Sequence, residues 1–220
     1  MYTSDLFPRY TMSISPAPER LGEAALVLRA FVPEPRAVLD CIEAVAAISP
    51  WRHMQTPGGY EMSVAMTNCG TYGWVSDRRG YRYAPQDPLT GLNWPAMPAS
   101  FLKLAHDAAQ AAGFSDFVPD ACLINRYAHG AKMGLHQDKD EQDMRQPIVS
   151  VSLGLPATFL FGGLKRSDKT QRVLVQDGDV VVWGGEDRLR YHGILPLKAG
   201  RHAATGEYRF NLTFRKARDG

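Results

Sequence analysis

In the stretch Tyr208-Arg209-Phe210-Asn211-Leu212-Thr213-Phe214-Arg215, polar and apolar side chains alternate without a break. Tyr208, Phe210, Leu212 and Phe214 share one side, and Arg209, Asn211, Thr213 and Arg215 the other. A period of two is that of a β-strand. This strand closes a series. Short β-type runs occupy 121–127, 147–153, 157–161, 172–176, 179–183 and 207–215, with turn residues such as Gly162-Gly163 and Asp177-Gly178 between several of them. Many short strands at this spacing predict a sandwich or barrel rather than a parallel α/β sheet. The predicted architecture is mainly β, a two-sheet core flanked by two helices.

The first half of the chain supplies the flanking elements. Residues 26–32 (LVLRAFV) read as a strand. Pro33 and Pro35 then open a helix through about Ile48, with Val38, Leu39, Ile42, Val45 and Ala46 at helical spacing and Pro50 ending it. Residues 60–68 (YEMSVAMTN) alternate Met62, Val64 and Met66 against Glu61, Ser63, Ala65 and Thr67, as a half-buried strand does. A second helix is expected from Pro98 to Gly113, with Phe101, Leu102, Leu104, Ala105, Ala108 and Ala109 packed. Loops from 52–95 decorate this core. Residues 1–20, with three prolines and no clear period, read as a loosely ordered arm ahead of a single domain over 21–220.

Composition narrows the class. Of 220 residues, 45% are hydrophobic and 22% charged, which is ordinary for a globular protein and excludes disorder as the main state. The net charge of +2 is too small to announce a nucleic-acid partner. Residues 1–164 carry 13 basic and 16 acidic side chains, whereas 165–220 carry 12 and 7. That basic C-terminal quarter is either a phosphate-facing surface or a solvated face. Cys41, Cys69 and Cys122 form no C-x-x-C, so neither a disulfide framework nor a zinc ribbon is indicated, and reduced thiols are expected. The N-terminal stretch lacks the apolar core of a signal peptide, and no apolar run approaches the roughly 18 residues of a membrane span. A soluble, cytoplasmic, monomeric protein without a membrane partner is the expectation.

Chemistry concentrates at 134–140, GLHQDKD. His136 and Asp138 are two apart, so in an extended strand both point the same way with Cα atoms ~6.6 Å apart. An imidazole and a carboxylate can then share one cation. His192, in the segment RYHGI, offers a third ligand. Two histidines and one carboxylate leave three octahedral positions open, which favours non-haem Fe(II). The dyad alone is equally compatible with a turn histidine beside a capping aspartate. Of the remaining histidines, His106 is expected half-exposed on its helix and His129 and His202 solvated in turns. The polar face of the 208–215 strand is either wet or a clamp for a dicarboxylate, because guanidinium matches carboxylate bidentately. Asn125 and Tyr127 share a face and can donate hydrogen bonds. Convergence of these groups on one barrel interior would specify a 2-oxoglutarate site.

With these residues in view, the sequence resembles the AlkB family of Fe(II)- and 2-oxoglutarate-dependent DNA alkylation repair dioxygenases. The resemblance runs from about residue 24 to 216. It rests on TPGGYEMSVAMTNCG (56–70), WPAMP (94–98), PDACLINRYAHGAKMGLHQDKDE (119–141), PIVSVSLGLPATFLFGGLKR (147–166), GDVVVWGG (178–185), YHGI (191–194) and RFNLTFR (209–215). It implies a double-stranded β-helix, or jelly roll, with residues 52–95 as a nucleotide-recognition lid. It implies His136, Asp138 and His192 as iron ligands, and Asn125, Tyr127, Arg209, Asn211 and Arg215 around 2-oxoglutarate. Trp74, Tyr81, Tyr83, Asp140 and Arg166 match substrate contacts, and Thr56, Tyr60, Met66 and Lys132 match lid or DNA-strand contacts. Met133, where leucine is expected, and Arg82, between the two tyrosines, bear on substrate breadth.

The implied reaction converts 2-oxoglutarate and O2 to succinate and CO2 and demethylates 1-methyladenine or 3-methylcytosine in DNA, releasing formaldehyde. The base must leave any duplex, so single strands are the expected substrate, with RNA as a further candidate. Trp74 or Tyr81 can offer an aromatic face to a cationic base, and Asp140 a compensating charge. The competing reading has both aromatics packing a hairpin. An oxygenase acting on RNA, protein or a small molecule is one alternative, and a non-catalytic jelly-roll binding module is another.

Overall fold

The computed structural model describes residues 17–218. Glu19–Arg20 (β1), Ala25–Leu28 (β2) and the helix Pro35–Ile48 (α1) come first. Arg52–Gln55 (β3), Glu61–Gly70 (β4), Gly73–Asp77 (β5) and Gly80–Ala84 (β6) follow, and then the helix Ala99–Ala111 (α2). The rest is β-structure: Ala121–Tyr127 (β7), Met133–His136 (β8), Ile148–Gly154 (β9), Ala157–Phe161 (β10), Gln171–Val175 (β11), Val180–Trp183 (β12), His192–Ile194 (β13) and Arg209–Arg215 (β14). A larger sheet has the order β1-β2-β12-β9-β14-β7-β4-β3, a smaller one the order β11-β10-β13-β8, and β5-β6 is a separate hairpin. The pairing between these strands is antiparallel throughout.

Two apolar layers hold this arrangement. On one face of the larger sheet, Val38, Leu39, Ile42 and Val45 of α1 and Phe101, Leu104, Ala105 and Ala108 of α2 pack against Ile124, Val149, Val151, Leu212 and Phe214. On its other face, Val27, Val181 and Trp183 meet Phe159, Phe161, Val173 and Ile194 of the smaller sheet. The result is a jelly roll with helices outside one sheet, as the strand spacing and the resemblance imply. Proline sets the limits of α1. Pro35 lies in its first turn, and Ser49, ahead of Pro50, is extended (φ −117°, ψ 96°) because the following ring disfavours the helical region. Gly113, at φ 91°, ends α2 in the left-handed conformation that favours glycine.

Several expectations are corrected. The strand expected over 26–32 stops at Leu28, because Ala30 takes a positive φ and donates its N–H to Asp179. Residues 1–16 of the expected arm lie outside the described residues, and Glu19–Arg20 are not loose but paired with β2. The 52–95 stretch is not loop decoration, since β3 and β4 extend the larger sheet and β5-β6 form the hairpin. β4 is buried on both faces from Val64 to Cys69, because it is flanked by β3 and β7 with a core layer on each side. Leu102 is exposed and Ala46 only half-buried, each sitting at the edge of its helix's packed stripe. His202 is half-buried and lies 3.9 Å from Asp177 rather than free in solvent. Cys41, Cys69 and Cys122 are all free thiols, the last two fully buried.

Candidate active site

The site lies between the sheets. His136 ends β8 and His192 begins β13, and the two are register partners across that antiparallel pair. This pairing brings together residues far apart in sequence. Gly193 permits the close strand approach: a Cβ there would lie 2.7 Å from the carbonyl oxygen of Met133. Asp138 follows β8 and turns inward. Among the described residues, His136, Asp138 and His192 are the one cluster whose ligand atoms all lie within 4.8 Å of one another. Each imidazole donates Nδ1–H to a carbonyl, His136 to Gly134 at 2.9 Å and His192 to Arg190 at 3.0 Å. That fixes the tautomer and leaves each Nε2 lone pair free. Both Nε2 atoms face Asp138, at 3.6 and 3.7 Å.

The electrostatics favour a cation. Burial works against the Asp138 charge, but Arg215, His192, His136 and Arg188 outweigh it and hold the carboxyl well below the usual carboxylate range. Burial, reinforced by His136, lowers His192 to about 3, so its ring is neutral at pH 7. Trp183 and Phe159 pack against that ring at 4.8 and 6.1 Å between centroids. Two imidazoles and one carboxylate form a donor set suited to a divalent metal.

A cleft of about 550 Å³ opens over these groups. Arg209, Asn211, Thr213 and Arg215 line it together with Asn125 and Tyr127. The polar face of β14 is therefore the cleft wall, and the wet-surface alternative is excluded: Arg209 is 1% exposed and Arg215 6%. The two arginines differ in what they hold. Arg215 donates to Asp138 Oδ2 from Nε at 3.0 Å and from Nη2 at 2.8 Å. Arg209 donates Nη2 to Ser152 Oγ at 2.9 Å, and its guanidinium lies 4.9 Å from the centre of the Tyr127 ring. Its Nε and Nη1 are buried without a partner, as is Asn125 Oδ1. A buried cation with two unused N–H groups has the chemistry to receive a carboxylate. The residues present thus fit Fe(II) together with a dicarboxylate co-substrate.

The hairpin β5-β6 forms part of the cleft mouth. The Trp74 and Tyr81 rings stack at 5.5 Å with a 15° interplanar angle, and both line the cleft. Trp74 Nε1 donates to Asp140 Oδ2 at 2.9 Å. Thr56, Lys132, Met133 and Arg166 are also at the lining, with Arg166 5.4 Å from the Tyr191 ring centre. Three expected contacts lie elsewhere. Tyr83 is buried and donates its hydroxyl to Glu141 at 2.6 Å. Met66 is fully buried in the core between the sheets and is closed to a DNA strand. Tyr60 is exposed and is not among the lining residues. Arg82 turns to Asp77 at 2.8 Å, away from the tyrosines that flank it.

Sequence reading missed Glu141 and Arg188. Both are buried, and Arg188 donates to the main-chain carbonyl of Asp138 at 2.6 Å. Glu141 carries a faint signal as a carboxylate three residues after Asp138, but no pattern distinguishes Arg188 from a solvated arginine.

A roll with this donor set and this arginine defines a class of oxygenase, and the chain belongs to the 2OG-Fe(II) oxygenase superfamily, whose sequence model matches residues 24–215. Within it, the chain is 63% identical over 204 residues to the alpha-ketoglutarate-dependent dioxygenase AlkB of Salmonella typhimurium, covering 92% of this chain and 94% of that one. It is 62% identical to the Escherichia coli protein of the same name, with the same coverage. The solved structure of OsALKBH1 superposes with a TM-score of 0.79 at 28% identity, covering 90% of this chain and 99% of that one.

Proposed function

We propose that this chain is an oxidative DNA demethylase that acts on N-alkylated bases such as 1-methyladenine and 3-methylcytosine and releases formaldehyde. His136, Asp138 and His192 would hold Fe(II), with Nε2 of each ring and the Asp138 carboxylate as donors. Arg209 would receive the carboxylate of 2-oxoglutarate distant from the metal, aided by Asn125 and Tyr127, with Asn211 and Arg215 completing the polar wall. When bound, Fe(II) with 2-oxoglutarate and O2 supplies the oxidation of the N-alkyl carbon, and 2-oxoglutarate leaves as succinate and CO2. The protein contributes position and exclusion of water. The observation that carries this reading is the buried Arg209, with two unpaired N–H groups, in the same cleft as the triad.

Residues 52–95 act as the recognition lid over this centre. Trp74 and Tyr81 would offer aromatic area to a flipped base, Asp140 would offset its positive charge, and Lys132 and Arg166, at the lining of the cleft, would be available to phosphates of the strand. Tyr83 supports this lid from beneath rather than touching substrate. Single-stranded DNA is the preferred substrate, since a duplex must first surrender the base. The protein works as a monomer in the cytoplasm, and its three free thiols agree with a reducing compartment.

The test is formaldehyde release from a single-stranded oligonucleotide carrying 1-methyladenine, with Fe(II) and 2-oxoglutarate each omitted in turn. Release that requires both is the expected result. Release without either, or 2-oxoglutarate turnover that leaves methylated DNA untouched while methylated RNA is consumed, would replace this reading.

A further inference from the structure

The hairpin and the carboxylate of the triad are joined by a buried chain of polar contacts. From β6, Tyr83 donates its hydroxyl to Glu141 Oε1 at 2.6 Å. The same oxygen lies 3.4 Å from Arg215 Nε. Glu141 Oε2 accepts from Arg188 Nη2 at 3.0 Å. Arg188 then donates Nη1 to the main-chain carbonyl of Asp138 at 2.6 Å and Nε to that of Gln146 at 2.9 Å. Arg215 holds the Asp138 carboxylate itself. The side chains of Glu141 and Arg188 are only 2% and 3% exposed.

We propose that Tyr83, Glu141 and Arg188 are positioning residues that fix Asp138 and tie the β5-β6 hairpin to the metal centre. Asp138 lies beyond the end of β8, so no strand ladder sets its orientation. Its carbonyl and its carboxylate are instead gripped by two arginines, and Glu141 bridges those arginines. With Asp138 and Arg215, the set contains two carboxylates and two guanidiniums, so its charges balance inside the protein. Removing one member leaves a buried charge unpaired, and the remaining groups must move to compensate. The Tyr83 hydroxyl is the link that leaves the roll. It attaches the strand that carries Tyr81 to the same carboxylate that bridges the arginines. Displacement of the hairpin by an arriving nucleotide therefore acts on Asp138 through three side chains. Partners of metal ligands that act in this way are worth 10–100-fold in metal affinity.

This inference rests on Asp138 being a metal ligand, and the experiment separates the two ideas. Co(II) serves as the probe, titrated into the full-length protein and followed by its visible absorption. Wild type, Asp138→Ala, Tyr83→Phe and Glu141→Gln are compared, each with a thermal melt. Asp138→Ala should lose tight Co(II) binding. If it does not, the ligand assignment falls and the relay with it. Glu141→Gln should bind Co(II) about 10–100-fold more weakly with altered absorption bands. Tyr83→Phe removes a single hydroxyl and should keep a near-normal melt. It should still weaken Co(II) several-fold, and it should abolish any change in Co(II) affinity that a single-stranded 1-methyladenine oligonucleotide produces in wild type. Because binding effects are reciprocal, that loss must also appear as altered oligonucleotide affinity with and without Co(II). Wild-type Co(II) affinity and spectrum in Tyr83→Phe, with binding lost in Asp138→Ala, would overturn the relay alone. Should Glu141→Gln fail to fold, Tyr83→Phe decides.

Discussion

The interior of the roll and the β5-β6 hairpin solve different problems with similar residue types. In the roll, charged groups are locked: Arg215 and Asp138 are buried against each other, and Arg188 and Glu141 likewise. In the hairpin, charges face water: Arg79 is 77% exposed beside Asp77, and Tyr81 is 48% exposed. A buried pair is costly to disturb, whereas an exposed one contributes little. The roll is thus built to hold one geometry, and the hairpin is built to yield to a ligand. Among the contacts that join them are Trp74 to Asp140, Tyr83 to Glu141, and the paired hydrogen bonds between the Trp74 main chain and the Asn68 side chain of β4.

That contrast can be broken most severely from the roll. Asp138→Ala removes the anionic member of the triad and leaves Arg215 and Glu141 to rearrange. Formaldehyde release should be abolished, and full turnover at micromolar iron would transfer the ligand role to another carboxylate such as Asp140. Next in size are the arginines, which should separate. Arg215→Ala strands the buried charges of Asp138 and Glu141 and should cost about 3–5 kcal/mol of stability as well as metal binding. Arg209→Ala should fold, keep Co(II) binding, and weaken 2-oxoglutarate by about 2–5 kcal/mol. Anaerobic titration of the iron–2-oxoglutarate charge-transfer absorbance measures this, and an unchanged midpoint for Arg209→Ala removes it from the co-substrate site. Smallest is Tyr60→Ala at the exposed edge of the lid. Its melt should stay within about 0.5 kcal/mol of wild type, as for other exposed substitutions, and repair should change little. A repair rate that collapses with a normal melt would bring Tyr60 into the strand path.

The same two regions differ in how far the sequence discloses them. The alternation in 208–215 and the H-x-D at 136–138 mark the polar face of the last strand and two candidate members of the triad without any knowledge of packing. Period alone does not say what covers a face. The polar side of β14 reads as surface or as clamp with equal ease, and only the smaller sheet lying over it decides. For the same reason β4 reads as half-buried although core layers enclose both of its faces. The hairpin is less legible still. Tyr81 and Tyr83 are two apart and on the same side of β6, yet one ring stacks on Trp74 at the cleft and the other is buried and ends on Glu141. Met66 fails as a DNA contact because β4 runs into the core at that point. Glu141 and Arg188 are charged residues in turn-like sequence, and such residues are solvated more often than buried.

Trp74 stands where the two regions meet, and Trp74→Ala is the most direct test of the division between them. Three quantities are needed from this one variant: 2-oxoglutarate decarboxylation without DNA, repair of a single-stranded 1-methyladenine oligonucleotide, and thermal melting. If the hairpin selects the base and the roll performs the oxidation, decarboxylation and melting should stay close to wild type. Repair should fall by about 5–150-fold in apparent affinity, the equivalent of about 1–3 kcal/mol of base stacking. Parallel loss of all three would make Trp74 a packing residue whose removal costs about 3–5 kcal/mol, and it would contradict the division of labour.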